Sequence, residues 1–267
     1  MKSAIATVAL IALAAAGCES SLHEPRPLDS LAPGKSQGRS ADELMRDAAA
    51  AWAHRNEPGK AAAAQDFYLD AAAADVHRTD ALLGAMRALT YRIEHEPGVA
   101  KAELAVKEVE LGQWCQRRDP ASAECAYRLA IALGQQAREK TSTGKDALGR
   151  IVDLLHQAIA RSPDLEAAGP HRVLALVLLR APSWPVGPGD PEAGLEEAKA
   201  AAQRFPNAAD NQLALGEALA ANAARGEAHA AYTRALALAR AAHAAGDLEA
   251  GQWVTDAQAG LDRTAGP

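Results

Sequence analysis

Aromatic side chains are scarce in this chain: 2 Phe, 4 Tyr and 4 Trp among 267 residues. A core built with so few rings has to be filled by many small aliphatic groups packed at short range. Alanine-rich helices do this well, because alanine has the best helix propensity and lets backbones approach closely. Runs of β-branched residues are almost absent too, so essentially no sheet is expected. Cysteine occurs three times and never with Cys-x-x-Cys spacing, which speaks against a zinc or thiol-redox centre. No HExxH, GxSxG, Walker loop or GxGxxG after a strand is found. The histidines are scattered singly. His156 and His229 read as surface residues of helices, and His171 stands beside Arg172 at a helix start. Acidic pairs such as Glu196-Glu197 read as solvated helix faces. Neither catalytic chemistry, a metal nor a cofactor is expected. A formal charge of −6 without a concentrated basic patch also excludes nucleic acid as a natural partner.

What the chain does have begins at its N-terminus. Met1-Lys2 is followed by an apolar run, Ala4 to Ala16, too short to span a bilayer as a helix. It ends in small residues directly before Cys18, which resembles the lipobox of bacterial lipoproteins. The resemblance implies that residues 1–17 are a signal peptide and that Cys18 becomes N-terminal and lipidated, with more than one acyl chain for stable anchoring. By the same analogy Glu19 favours the outer membrane, so the protein is expected on its periplasmic face. Residues 18–39 carry Pro, Gly, Ser and mixed charge without periodicity and read as a disordered tether reaching roughly 25 Å.

Residues 40–265 read as one elongated helical domain. The clearest stretch is residues 209–240, with Leu215-Gly216, Leu219, Ala228, Tyr232 and Ala235 at characteristic spacings. It resembles a tetratricopeptide repeat, a helix–turn–helix unit of about 34 residues. Small residues at Gly216, Ala228 and Ala235 would lie where two antiparallel helices cross most closely, with Leu215, Leu219 and Tyr232 filling between. Ala64, Tyr68 and Ala71 repeat part of this spacing; so do Ile151, Leu155, Ala158 and Pro163, and Gly194, Ala198, Ala201 and Pro206. The expectation is an all-α solenoid of about five helix pairs. A polar capping helix from Gly246 to about Arg263 would close it. Ser40 to Glu43 forms a capping box for the first helix, and the first helix of the third unit looks about two turns too long. Cys115 and Cys125 flank a turn at Asp119-Pro120. In an oxidising compartment they read as a disulfide, the alternative being two small buried hydrophobes.

The largest departure from the repeat is residues 180–191, RAPSWPVGPGDP. Pro182, Pro185 and Pro188 recur every third residue, so part of it is expected as polyproline II, with Trp184 at its centre. Asp190-Pro191 reads as cap and first residue of the next helix. The preceding run Val173 to Leu179 is apolar on every side and reads as a fully buried helix. Two roles stay open for Trp184: a structural plug at the edge of the superhelix, or a ligand or partner surface.

Gly169-Pro-His-Arg172, the Arg180 to Pro185 segment, Gly189-Asp190 and Asn211 together resemble a block in repeat lipoproteins related to the T component of tripartite ATP-independent periplasmic (TRAP) transporters. That resemblance covers about Glu124 to Ala235. It implies a periplasmic or outer-membrane protein partner, with the solute-binding component as the candidate, or a small apolar ligand held in the repeat array. It brings no catalytic residues. By tetratricopeptide geometry Asp210, Leu213 and Glu217 face the groove, and their acidity argues against capture of a C-terminal carboxylate there. The candidate binding residues are Arg172, Trp184, Asp190, Asp210, Asn211, Leu213 and Glu217. An envelope-assembly scaffold without ligand is the remaining reading.

Overall fold

The computed structural model describes residues 20–34 and 38–265. Cys18 and the apolar run before it lie outside these residues. The described chain consists of twelve α-helices and a short 3-10 turn. After a single turn of helix, α1 (Leu28–Leu31), come five antiparallel pairs: α2 (Ala41–Ala53) with α3 (Lys60–Ala74), α4 (Thr79–His95) with α5 (Lys101–Arg118), α6 (Ala123–Glu139) with α7 (Gly144–Arg161), α8 (Leu165–Arg180) with α9 (Pro191–Arg204), and α10 (Ala209–Ala221) with α11 (Arg225–Ala244). A last helix, α12 (Ala250–Thr264), packs on the fifth pair. Each pair packs on the next, the sequential contact pattern of a solenoid.

Local chemistry sets the helix ends. Ser40 accepts the Glu43 N–H at 3.3 Å while the Glu43 carboxylate accepts the Ser40 N–H at 2.9 Å, completing the capping box at α2. Ser122 caps α6 and Asp190 caps α9. Gly59 and Gly98, with φ of 76° and 74°, supply the left-handed residue in two Pro-Gly turns. Helix α6 is 17 residues against 13 for α10, about one turn longer rather than two, and Thr141–Thr143 then tightens into the 3-10 turn. Cys115, near the end of α5, and Cys125, in the first turn of α6, are joined across the intervening turn with Cα atoms 5.4 Å apart.

The pairs are held together by rings laid on bare backbone. A methyl group built on Gly216 would come within 2.7 Å of the Tyr232 ring, and one on Gly260 within 2.5 Å of the same ring. Tyr232 is thus seated between α10 and α12. Tyr68 of α3 lies on Gly84 of α4 in the same way, at 2.6 Å. Around these contacts Ala64, Ala71, Ala228 and Ala235 are completely buried, as the close helix crossings require.

Residues 20–34 are not an unstructured tether, contrary to their composition. They run along the second helices of the first three units. The Ser21 N–H and hydroxyl both donate to Asp146 of α7, at 2.8 and 2.6 Å. Those bonds, with Arg150 beside them, hold the Asp146 carboxyl down to about 2. Arg26 makes a bidentate pair with Glu110 of α5, and Trp114 donates its indole N–H to the Arg26 carbonyl at 2.9 Å. Leu28 and Leu31 are buried, and the Gly34 N–H reaches Asp70 of α3 at 3.0 Å. The segment is ordered by partners up to 125 residues away, which no local pattern reveals.

One buried group is out of keeping with the apolar core. Glu108 of α5 is fully buried; the Thr90 hydroxyl donates to its Oε1 at 2.6 Å, and its Oε2 has no partner among the described residues. Burial pushes its carboxyl up to about 8, so it is protonated at neutral pH. Because the folded state holds the proton more tightly than the unfolded chain, stability is full below pH ~4.5 and falls as pH rises toward 8. Glu108→Gln should flatten that decline and leave the variant more stable than the parent at pH 8, by on the order of 3 kcal/mol, in urea titrations run from pH 5 to 8. Glycine gives a second test. Gly216→Ala drives a methyl into the Tyr232 ring and should cost about 1–3 kcal/mol. Gly149→Ala, in the exposed middle of α7 with nothing within 4 Å, should gain about 0.5–1 kcal/mol.

Candidate functional site

The first helix of each unit turns one stripe toward the concave side. On α4 the stripe is Arg87, Thr90, Tyr91, Glu94 and His95; on α6 it includes Arg128, Ile131, Gln135 and Arg138. These residues recur every three or four positions, the period that keeps them on one helix face. On α8 the stripe is Arg172, Val173, Leu176, Val177 and Arg180. Together with Trp52 of α2 and Ile151 of α7 they line a cavity of about 670 Å³. A second cavity, of about 420 Å³, continues it along α8, α10 and α12. It is lined by Asp210, Leu213, Glu217, Trp253 and Asp256 among others. The two share Arg172, Leu176, Arg180 and Glu249, so they form one groove.

Electrostatically the groove is mixed. Asp210 and Glu217 do not make it acidic, because α8 answers them. Arg172 pairs with Asp210 at 3.1 Å, and Arg180 makes a bidentate pair with Glu217, both bonds 2.7 Å. The expectation of an acidic groove at the fifth unit is therefore corrected: the neighbouring helix supplies the balancing cations. Further along, burial raises the Glu94 carboxyl above its ordinary range, which favours its neutral form. Arg128 is 7% exposed and pairs through one Nη with Glu166, while its Nε–H has no partner among the described residues. Gln135 beside it is 5% exposed and its carbonyl oxygen is also unpartnered.

Of the residues singled out in the sequence, Arg172, Asp210, Leu213 and Glu217 meet in the groove. Asn211 does not line it. Asn211 is completely buried; its amide donates to the carbonyls of Ala167 and Ala201 and its oxygen accepts from Arg172 at 2.7 Å. Asp190 serves as the cap of α9, accepting the Ala193 N–H. Trp184 is 87% exposed, so it plugs no gap. The loop holding it is a compact turn rather than polyproline II: Val186 and Gly187 N–H both reach the Ser183 carbonyl, and Gly189 N–H reaches that of Pro182. Gly189 and Gly187 are what permit this, since a Cβ on either would run into the backbone of Ala181 or Pro182. Ala181 and Pro182 stand at the rim of the larger cavity. The run Val173–Leu179 is not buried all round either: Leu174, Ala175 and Leu178 pack inside, while Val173, Leu176 and Val177 form groove wall.

Sequence reasoning missed Trp52, Arg87, Tyr91, Arg128 and Ile131. Their helical spacing is present in the sequence, but so is that of the opposite, core-facing stripes; which face turns inward is decided by the neighbouring units. His171 is buried against Glu197, its Nδ1 2.6 Å from the carboxylate, in a helix-to-helix contact away from the groove lining. Among the described residues no three His, Cys, Asp or Glu side chains gather as a metal-binding group.

No family model matches this sequence, and no curated protein is significantly similar to it. Among solved structures, a thermophilic tetratricopeptide-repeat protein of Thermus thermophilus is 20% identical; the match covers 82% of this chain and all of that one, with a TM-score of 0.58. A double mutant of MamA is 17% identical over 77% of this chain and 98% of its own, with a TM-score of 0.50. At these identities the likeness is one of fold, and the chain has the architecture of a tetratricopeptide-repeat protein.

Proposed function

We propose that the chain is a non-enzymatic scaffold that holds an extended segment of a partner protein along its concave groove. The observation that carries this reading is the continuity of the two cavities through Arg172, Leu176, Arg180 and Glu249. A groove continued from one unit to the next, with an apolar wall and charges of both signs, suits a polypeptide that presents side chains at intervals. Trp184 is an exposed aromatic beside the rim, the type of residue that anchors protein contacts. The finer reading places the protein on the periplasmic face of the outer membrane through lipid on Cys18. Its partner there would be an envelope protein, with the solute-binding component of a TRAP-type transporter as the specific candidate. A second reading, a carrier of a small apolar ligand, draws on the larger cavity alone, whose volume lies within the range of small-molecule sites. The Trp184 loop contributes only Ala181 and Pro182 to it.

Three measurements test these readings. A photo-crosslinking residue at Leu176 should trap a discrete partner in intact cells, and Val177→Arg, which fills the groove from a half-exposed position, should reduce that adduct at least tenfold. Equal trapping from Lys199 on α9, or no effect of Val177→Arg, would place the partner elsewhere. A lipophile retained on the purified body in native mass spectrometry would favour the carrier instead. Cys18→Ser should release the protein from membranes, and continued membrane association would remove the lipid anchor.

A further inference from the structure

Three consecutive residues at the edge of the groove hold a conformation that costs them energy. Glu166, Ala167 and Ala168 have φ of 46°, 54° and 63°, all left-handed and none glycine. Residues with a Cβ visit this region singly, and each at an energetic cost. A run of three persists only where the surroundings over-determine it. Here the surroundings come from three helices. Arg128 of α6 holds the Glu166 carboxylate. Asn211 of α10 donates to the Ala167 carbonyl at 2.9 Å, and Arg172 reaches the same oxygen at 3.5 Å. Gly169 follows, closed against the Tyr127 hydroxyl, where a Cβ would be 2.5 Å from it.

The Arg128–Glu166 contact is itself incomplete. Glu166 uses one Nη of the guanidinium and leaves the Nε–H, buried in the cavity wall, without an acceptor. A carboxylate seated along the Nε–Nη edge would satisfy both donors. An unmet buried donor on a charged group is costly to the closed arrangement. Arg87, exposed on α4, and Arg138 of α6 add positive charge to the same cavity, and Ile131, Ile151, Val173 and Val177 provide an apolar wall within it.

We propose that Glu166 is an internal stand-in for an acidic residue of the bound segment. A peptide carboxylate flanked by aliphatic side chains takes Arg128, Glu166 is displaced, and the 166–168 turn relaxes. This rests on the groove reading of the function and adds to it the chemistry of the occupant and a gate that lowers its affinity at rest. Charge complementarity selects an acidic peptide: Arg87 has no carboxylate partner among the described residues, and Arg138 meets only its sequence neighbour Glu139, at 3.4 Å.

The test uses the full chain and fluorescein-labelled, C-terminally amidated hexapeptides of Leu and Val carrying one Glu, each with a Gln-matched control, read by fluorescence anisotropy. Glu peptides should bind the parent more tightly than their Gln controls. Glu166→Gln should strengthen Glu-peptide binding about tenfold and leave the controls unchanged. Ala167→Gly, which removes a Cβ from the left-handed turn and so stabilises the closed state, should weaken it about threefold. Arg128→Lys, retaining charge without the bidentate edge, should abolish the preference for Glu. Circular dichroism melts confirm that each variant is folded. If peptides bind but Glu166→Gln and Ala167→Gly leave affinity unchanged, the gate is wrong and the groove reading stands. If no peptide binds any variant, both fall. Oleate binding that responds to Glu166→Gln where peptides do not would overturn the choice of a peptide occupant.

Discussion

The structure depends on aromatic rings seated directly on glycine backbone. Tyr232 between Gly216 and Gly260, and Tyr68 against Gly84, set how closely one helix can approach the next. At the first junction between pairs the Tyr68–Gly84 seat sets how one unit sits on the next, and small rotations repeated over successive units curve a solenoid. Because rings are few in this chain, each such seat matters more than it would in an aromatic-rich core. Alanine fills the remainder, and it does so only because the helices are already near enough for a methyl group to be in contact.

The curvature is what turns separate helix stripes into a site. Arg172 and Arg180 on α8, and Asp210 and Glu217 on α10, would be isolated surface charges on a straight array. In the groove Arg180 and Glu217 form a bidentate pair, and Arg172 meets Asp210 through one Nη at 3.1 Å. The Arg172–Asp210 pair is shielded enough to resist solvent screening, whereas Arg180 is largely exposed and its pair with Glu217 serves mainly to position both side chains. The groove is thereby left nearly neutral around the fifth unit and richer in cations around the second and third. Its two ends offer different chemistry to anything lying along it.

The fold was largely legible from spacing alone, because the repeat signature reports on helix crossings, and crossings are local. Ser40 and Asp190 could be placed as caps from neighbouring residues for the same reason. The site was legible in part. Asp210, Leu213 and Glu217 were placed in the groove by repeat geometry, but Asn211, two residues before Leu213, is a buried clamp on the Ala167 carbonyl. Its role depends on a backbone conformation 44 positions upstream. The left-handed turn at 166–168 carries no sequence sign, since Glu and Ala are good right-handed helix formers. The proline spacing at 182, 185 and 188 pointed to an extended rod; Gly187 and Gly189 allowed the chain to fold back on Pro182 instead. Residues 20–34 were misread because their order comes wholly from distant acceptors and an apolar surface that composition does not show.

That same segment makes the solenoid mechanically uneven. A repeat array behaves as a spring, each unit bending against only its neighbours. Here a strap pinned to α3, α5 and α7 crosses the outer face of the first three units. Curling the solenoid more tightly would spread that face's second helices apart and pull Ser21 from Asp146 or Arg26 from Glu110. The three later helices of the groove, α8, α10 and α12, carry no such strap among the described residues. Breathing of the groove is thus directed to its C-terminal half, with the 166–168 turn standing at the boundary between the stiff arm and the compliant one.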